Sequence, residues 1–322
     1  MHASSTAVWP GGAAAVVTCA LALLAGAPPV PAQQPAAAAP VPQRAGTLDR
    51  IRDQGRIRLG YRTDAGPFSY KDDAGRPAGY AVALCNRIAD ATKQELGLGQ
   101  LAVEWVPVTA NDRFQAVQRG EIDVQCGADT VTLARRAAVS FSIPTFAGGV
   151  GAVVRADAPA RLRQVLSGQG QVLQPVWRAS AARVLHSRAF STVAGTTTEA
   201  WLRDRIRTLQ VIADVSPVDS YDTGLHNLLE RKADALFGER AILLEAAKRH
   251  PSGRDLVVID RLFTYEPLAI AFPRGDDALR LLIDRTLSRF YASGDLGNLY
   301  ASFFGEPDET TLAFFRWNTL PE

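Results

Sequence analysis

The sequence predicts an α/β protein built as two lobes joined by two crossing strands. Three observations predict it. Strand-like and helix-like stretches alternate from Thr47 onward, the pattern of parallel α/β sheets. An apolar strand that runs into a Gly- and hydroxyl-bearing loop and then a helix occurs twice, in residues 122–136 and 190–206. The chain has 322 residues, about twice the usual domain of ~100–200. Apolar residues make up 47% and charged residues 21%, which suits a soluble globular protein with a sizeable core. The net charge of +2 comes from 35 basic and 33 acidic residues scattered along the chain, so no nucleic-acid surface is indicated.

Residues 13–27 are apolar and too short to span a membrane comfortably, and Val30-Pro31-Ala32 offers a cleavage site before Gln33. Residues 1–32 therefore read as a signal peptide, although the start carries His2 and no Lys or Arg. Thr18 is large for the position before a lipid-bearing cysteine, so Cys19 reads as part of the apolar run. Residues 33–46 are rich in Pro, Ala and Gln and form a linker. Once the signal is removed, Cys85 and Cys126 remain. They are either a disulfide or two small buried hydrophobes, and spacing does not decide between these. The four histidines, His2, His186, His226 and His250, have no metal-ligand spacing.

Lobe 1 comprises residues 47–154 and 266–322. It opens with an amphipathic helix through Leu48 and Ile51, then a strand over residues 56–61. A loop from Arg62 carries Gly66-Pro67 into an aromatic strand, and 72–75 is a turn. Val82, Leu84, Ile88 and Ala89 recur at helical spacing. A strand follows over residues 101–107, then a helix over 114–118, capped by Asn111 or Asp112 and stopped at Gly120. The strand over 122–126 breaks at Gly127 and leads through Thr130 and Thr132 to Arg135. Residues 148–154 are the first crossing strand and 268–272 the return. Helix 276–291 and the aromatic segment 296–304 close the lobe.

Lobe 2 spans residues 155–265. Residues 159–188 form a surface excursion with helical patterns over 162–166 and 179–185 around a Gly-Gln-Gly-Gln loop. Strand 190–193 meets Gly195, and a helix starts there, capped by Thr197 or Thr198. A strand over 211–214, a helix over 224–230, a buried strand over 233–237 ending at Gly238-Glu239, a helix over 241–248 and a strand over 256–259 complete it.

The polar residues that matter fall at strand carboxyl ends, where open α/β sheets bind ligands. Thr130 and Arg135 can grip a carboxylate, and Arg62 and Arg113 add two further cations. From lobe 2, Thr196 and Thr197 offer hydroxyls and Glu239 an acid suited to an ammonium. Singly, each has an ordinary role as a cap or a solvated charge. Their shared placement at strand carboxyl ends is what points to a ligand site.

Leu59-Gly60-Tyr61-Arg62 with Pro67-Phe68-Ser69-Tyr70, Gly79-Tyr80, Gly120-Glu121-Ile122-Asp123, Thr130-Val131-Thr132 with Arg135, Gly195-Thr196-Thr197 and Asp234-Ala235 with Gly238-Glu239 share an order and spacing. That order resembles periplasmic amino-acid-binding proteins of ABC importers, nearest the glutamate/aspartate-binding branch. The resemblance runs from Thr47 to Glu322 and includes the tail from Ala313. It implies the type II periplasmic-binding-protein fold. Thr130 and Arg135 would hold the ligand α-carboxylate with Thr196, and Glu239 would hold the ammonium. Arg62 with Arg113 would neutralise an acidic side chain. Tyr221 stands where that branch tends to have His, Glu239 replaces an Asp, and Asp129 adds a charge beside the anion site.

The resemblance implies a monomer that works without cofactor or metal, in the periplasm, and delivers its ligand to a membrane permease. Two other classes fit the same fold. One is an enzyme resembling cyclohexadienyl dehydratases, with Glu239 or Asp129 as the acid. The other is a ligand-sensing subunit of a signalling system.

Overall fold

The computed structural model describes residues 46–169 and 183–322. The signal peptide, most of the linker, the second half of the Gly-Gln-Gly-Gln loop and most of the helical pattern 179–185 lie outside the described residues.

Lobe 1 is a five-stranded sheet in the order β5-β1-β6-β15-β7. β1 (Arg56–Arg62) pairs in parallel with β5 (Ala102–Val108) and β6 (Val124–Cys126), while β15 (Ala271–Pro273) runs antiparallel to β6 and β7 (Val139–Phe141). A small meander of β2 (Asp64–Ala65), β3 (Ser69–Lys71) and β4 (Pro77–Ala78) leads into helix α2 (Tyr80–Glu95). The helices α1 (Thr47–Gln54), α3 (Arg113–Gln118) and α4 (Leu133–Arg136) complete the first half. Ile57 and Leu59 of β1 share one buried core with Leu84 and Ile88 of α2. That burial is the main stabilising term, at about 1.5–3 kcal/mol per large side chain.

Lobe 2 repeats the plan in the order β11-β10-β12-β9-β13. Its strands are β9 (Val150–Arg155), β10 (Ala189–Val193), β11 (Asp214–Val218), β12 (Ala235–Glu239) and β13 (Leu256–Val258). Its helices are α5 (Ala160–Ser167), α6 (Thr197–Thr208), α7 (Tyr221–Leu229) and α8 (Arg240–Arg249). One device recurs in both lobes. Asp123, just before β6, accepts the Arg58 N–H at 2.8 Å, and Asp234, just before β12, accepts the Ala189 N–H at 3.0 Å. Each acid anchors the start of the first parallel strand to the third and is itself paired with Arg, Asp123 with Arg50 and Arg58 and Asp234 with Arg188.

The connection differs from the expected one. The antiparallel pair that joins the lobes is β8 (Phe146–Gly148) with β14 (Glu266–Leu268). Residues 150–154, expected to cross, belong instead to the second sheet, where β9 sits between β12 and β13. Their unbroken apolar run reflects a central strand covered on both faces, not a hinge. The return crossing is likewise earlier than 268–272, because Ala271 and Phe272 pair within the first sheet. The first-lobe boundary therefore falls near Gly149 rather than after Val154. In lobe 2 the strand expected over 211–214 begins at Asp214 and runs to Val218. Val211 is buried just after α6, Ile212 is exposed, and Pro217 is tolerated because β11 is an edge strand. The cap of α6 is Thr196, one residue before the expected pair.

The C-terminal helices α9 (Asp277–Ala292), α10 (Asp295–Phe304) and α11 (Glu309–Asn318) pack on lobe 1. Phe304 of α10 meets Phe146 of β8 with ring centroids 4.7 Å apart, and Phe68 meets Phe146 at 4.8 Å. One of the crossing strands is thus seated in an aromatic cluster of lobe 1. Cys85 of α2 and Cys126 of β6 form a disulfide with Cα atoms 6.1 Å apart, which resolves the pairing that spacing left open.

Candidate functional site

The strand carboxyl ends of both sheets face a shared cavity beside β14. Arg62, Arg113, Thr130, Arg135, Thr196, Thr197, Tyr221 and Glu239 all line it, so the eight residues singled out in the sequence meet in one place. Ala128, Thr198, Ile242 and Glu266 complete the wall. The cavity measures about 30 Å³, room for about two waters. A ligand larger than that enters by the lobes parting.

On the first-lobe side, Thr130 follows β6 and is fixed by a bridge to Leu268. Its carbonyl accepts from the Arg135 guanidinium at 2.8 Å, and Thr132 caps the short helix that carries Arg135. The Arg135 guanidinium lies 4.9 Å from the Phe114 ring centroid. Burial, and then the charge of Arg113, push the Arg135 pKa down to about 10, so it remains charged at neutral pH.

Arg62 and Arg113 line the cavity but neither is a free cation. Arg62 makes two hydrogen bonds to Asp64, Nε to Oδ1 at 2.9 Å and Nη2 to Oδ2 at 2.7 Å. Arg113 is 3% exposed and donates from Nε to Asp129 at 2.5 Å, and from Nη1 to the Ala110 carbonyl. Asp129, unexplained in the sequence, is the buried counter-ion of Arg113. Asp64 was missed altogether, although an acid two residues after a candidate arginine is a readable signal.

The second lobe approaches closely. Gly195 has φ +72°, and a Cβ there would lie 2.0 Å from Asn111 Oδ1 of lobe 1. The positive φ favours glycine, and any larger residue would also have to displace the Asn111 side chain. Thr196 caps α6 by accepting from the Glu199 N–H at 3.3 Å, and its hydroxyl donates to the Val193 carbonyl at 2.7 Å. Its proton is spent, so toward a ligand this hydroxyl only accepts, which does not suit a carboxylate. Thr197 donates to Glu266 at 3.1 Å, so the 3.3 Å contact between Thr130 and Thr197 is donated by Thr130. Thr264 donates to the other Glu266 oxygen at 2.9 Å. Lobe 1, lobe 2 and a crossing strand meet in this chain of hydroxyls, and Glu266 is its acceptor. Nothing in the sequence motifs pointed to Glu266.

Glu239 ends β12 and caps α8. Its carboxyl accepts from the Gly149 N–H at 2.9 Å and from the Ala241 N–H at 3.4 Å. The Arg240 side chain turns away to Asp260, so Glu239 has no cationic partner among the described residues. Burial pushes its pKa up to about 8, against the lowering by those N–H groups. Tyr221 is buried beside it, with its hydroxyl accepting from the Glu239 N–H at 3.4 Å, and burial raises its pKa to about 12. The arrangement thus offers a cation with hydroxyls at one end and an unpaired acid at the other.

The family described as bacterial extracellular solute-binding proteins, family 3, matches residues 57–306. The chain belongs to this family. As a solute-binding protein it is 28% identical over 263 residues to the L-glutamate/L-aspartate-binding protein of Pseudomonas aeruginosa, covering 81% of each chain. It is 25% identical over 261 residues to the ABC transporter glutamine-binding protein of Bacillus subtilis, covering 81% of this chain and 85% of that one. Among solved structures, an ancestral amino-acid-binding protein, described as a precursor of cyclohexadienyl dehydratase, aligns with TM-score 0.65 and 23% identity over 81% of this chain and all of that one. The cysteine-binding protein of Campylobacter jejuni aligns with TM-score 0.65 and 23% identity over 84% of this chain and 98% of that one. These two likenesses show the fold, which is the type II periplasmic-binding-protein fold.

Proposed function

We propose that this solute-binding protein captures an α-amino acid between its lobes in the periplasm and delivers it to an ABC permease, with no chemistry of its own. The observation that carries the reading is the pairing of Arg135 and Thr130 at one end of the cavity with an unpartnered Glu239 at the other. The Arg135 guanidinium suits an α-carboxylate, the Thr130 hydroxyl can join it by giving up its contact to Thr197, and a carboxylate held by backbone N–H groups suits an α-ammonium. Contacts from both lobes make closure depend on the ligand, because only the closed form gains all of them. The names of the curated relatives, binding proteins for glutamate and aspartate or for glutamine, support the transport reading.

For the ligand side chain, Arg62 and Arg113 at the cavity wall favour an oxygen acceptor. That is a carboxylate, as in glutamate or aspartate, or the carboxamide of glutamine or asparagine, which the acid partners of both arginines favour. Calorimetric titration with these four amino acids tests the proposal. A dissociation constant in the micromolar range or below for at least one of them is expected, and no heat and no thermal shift with any would refute it.

A further inference from the structure

We infer that Asp129 sets the side-chain specificity of this site, turning it from an acidic ligand toward an uncharged carboxamide. The inference rests on the amino-acid reading above and refines it. Asp129 is 1% exposed and lies directly against Arg113, the cation a ligand carboxylate would otherwise claim. Its Oδ1 takes the Arg113 Nε–H, and the Ala110 carbonyl takes a second N–H of the same guanidinium. What Arg113 can still give is a hydrogen bond, with its charge already answered. Arg62 is in the same position, held by both oxygens of Asp64.

The charges around the cavity agree. Three guanidiniums, of Arg62, Arg113 and Arg135, stand with four carboxyl groups, of Asp64, Asp129, Glu239 and Glu266. An amino acid with an uncharged side chain adds no net charge to that set. Once Glu239 has ionised against the ligand ammonium the acids outnumber the bases by one, and a glutamate or aspartate adds a further negative charge to that set at short range. A carboxamide offers Arg113 an acceptor without bringing a charge, whereas a carboxylate brings a charge to a guanidinium that Asp129 has already neutralised.

The test compares the affinities of the purified protein for glutamine, asparagine, glutamate and aspartate by calorimetry. The wild type is expected to bind at least one amide about tenfold or more tightly than the matching acid. Asp129→Asn is expected to reverse this order, with the acid gaining about tenfold or more. A wild type that prefers the acid refutes the inference while leaving amino-acid capture intact, and this arm needs no variant to fold. An Asp129→Asn protein that binds with an unchanged amide-to-acid ratio also refutes it. Failure to bind any of the four removes the parent reading and the inference with it.

Discussion

The carboxyl of Glu239 should couple ligand binding to proton release. Its pKa is pushed up to about 8 because it is buried in the cavity wall without a cation. The usual value is 4.5, so ionising it in place costs up to about 5 kcal/mol at 1.36 kcal/mol per unit. This is an upper bound, since the side chain is half-buried and the cavity admits water. Near neutral pH the acid is mostly protonated until an ammonium arrives, and forming the ion pair expels the proton. Near pH 6.5 about one proton should leave per ligand bound, and the affinity should rise about tenfold per pH unit up to about pH 8. Titrations in two buffers of different protonation enthalpy measure the released proton directly.

Stability should follow the same group. The native pKa lies above the unfolded one, so the folded protein holds the extra proton between about pH 4.5 and 8. The contribution is full below about pH 4.5 and is lost as pH rises through about 8. Glu239→Gln should abolish both the proton release and this part of the pH profile. It should also weaken binding by about 1.5–3 kcal/mol, the usual worth of a hydrogen bond to a charged group. No proton release and a pH-independent dissociation constant between about pH 6 and 8 would refute the assignment of Glu239 to the ammonium.

Arg135→Ala removes the cation at the carboxylate end and should weaken binding about 10- to 100-fold, with the thermal midpoint little changed because the side chain is only partly buried; wild-type affinity in a titration would overturn the assigned pole. Replacing Cys85 and Cys126 by Ser opens a cross-link between residues 41 apart and should cost about 4 kcal/mol in denaturant unfolding on the chain-entropy model. Gly149→Ala would place a Cβ 2.0 Å from the Thr264 carbonyl beside the crossing strands, so it should destabilise by about 1–3 kcal/mol, read from the midpoint of unfolding.

The sequence carried the site further than it carried the hinge. That Arg62, Thr130, Thr196 and Glu239 meet at one cavity was legible because strand-to-helix junctions mark strand carboxyl ends, and such ends gather in an open sheet; the carboxylate contact expected of Thr196 was not, because its hydroxyl donates to Val193. The crossing strands were misplaced because residues 150–154 read as an apolar Gly-rich run, and such a run looks the same in a hinge as in a central strand covered on both faces. Glu266 is not legible because a lone acid at a strand start has no pattern of its own, whereas Asp64 stands two residues from Arg62 and could be read as its partner. The partners of Arg62 and Arg113 show the limit most directly. One acid is two residues away and the other sixteen, and only the closing of the fold sets Asp129 against Arg113.

What the sequence determined by itself is the alternation of elements, the two repeated junctions and the identities of the polar groups that line the cavity. Those follow from local periodicity and from where short loops leave strands. The tertiary structure alone decided which charges remain unspent. It paired Arg62 with Asp64 and Arg113 with Asp129, left Glu239 without a cation, and joined Cys85 to Cys126. The physical reason is that a charge's effect depends on distance and on the water around it. Neither exists until the chain has folded and the two lobes have met.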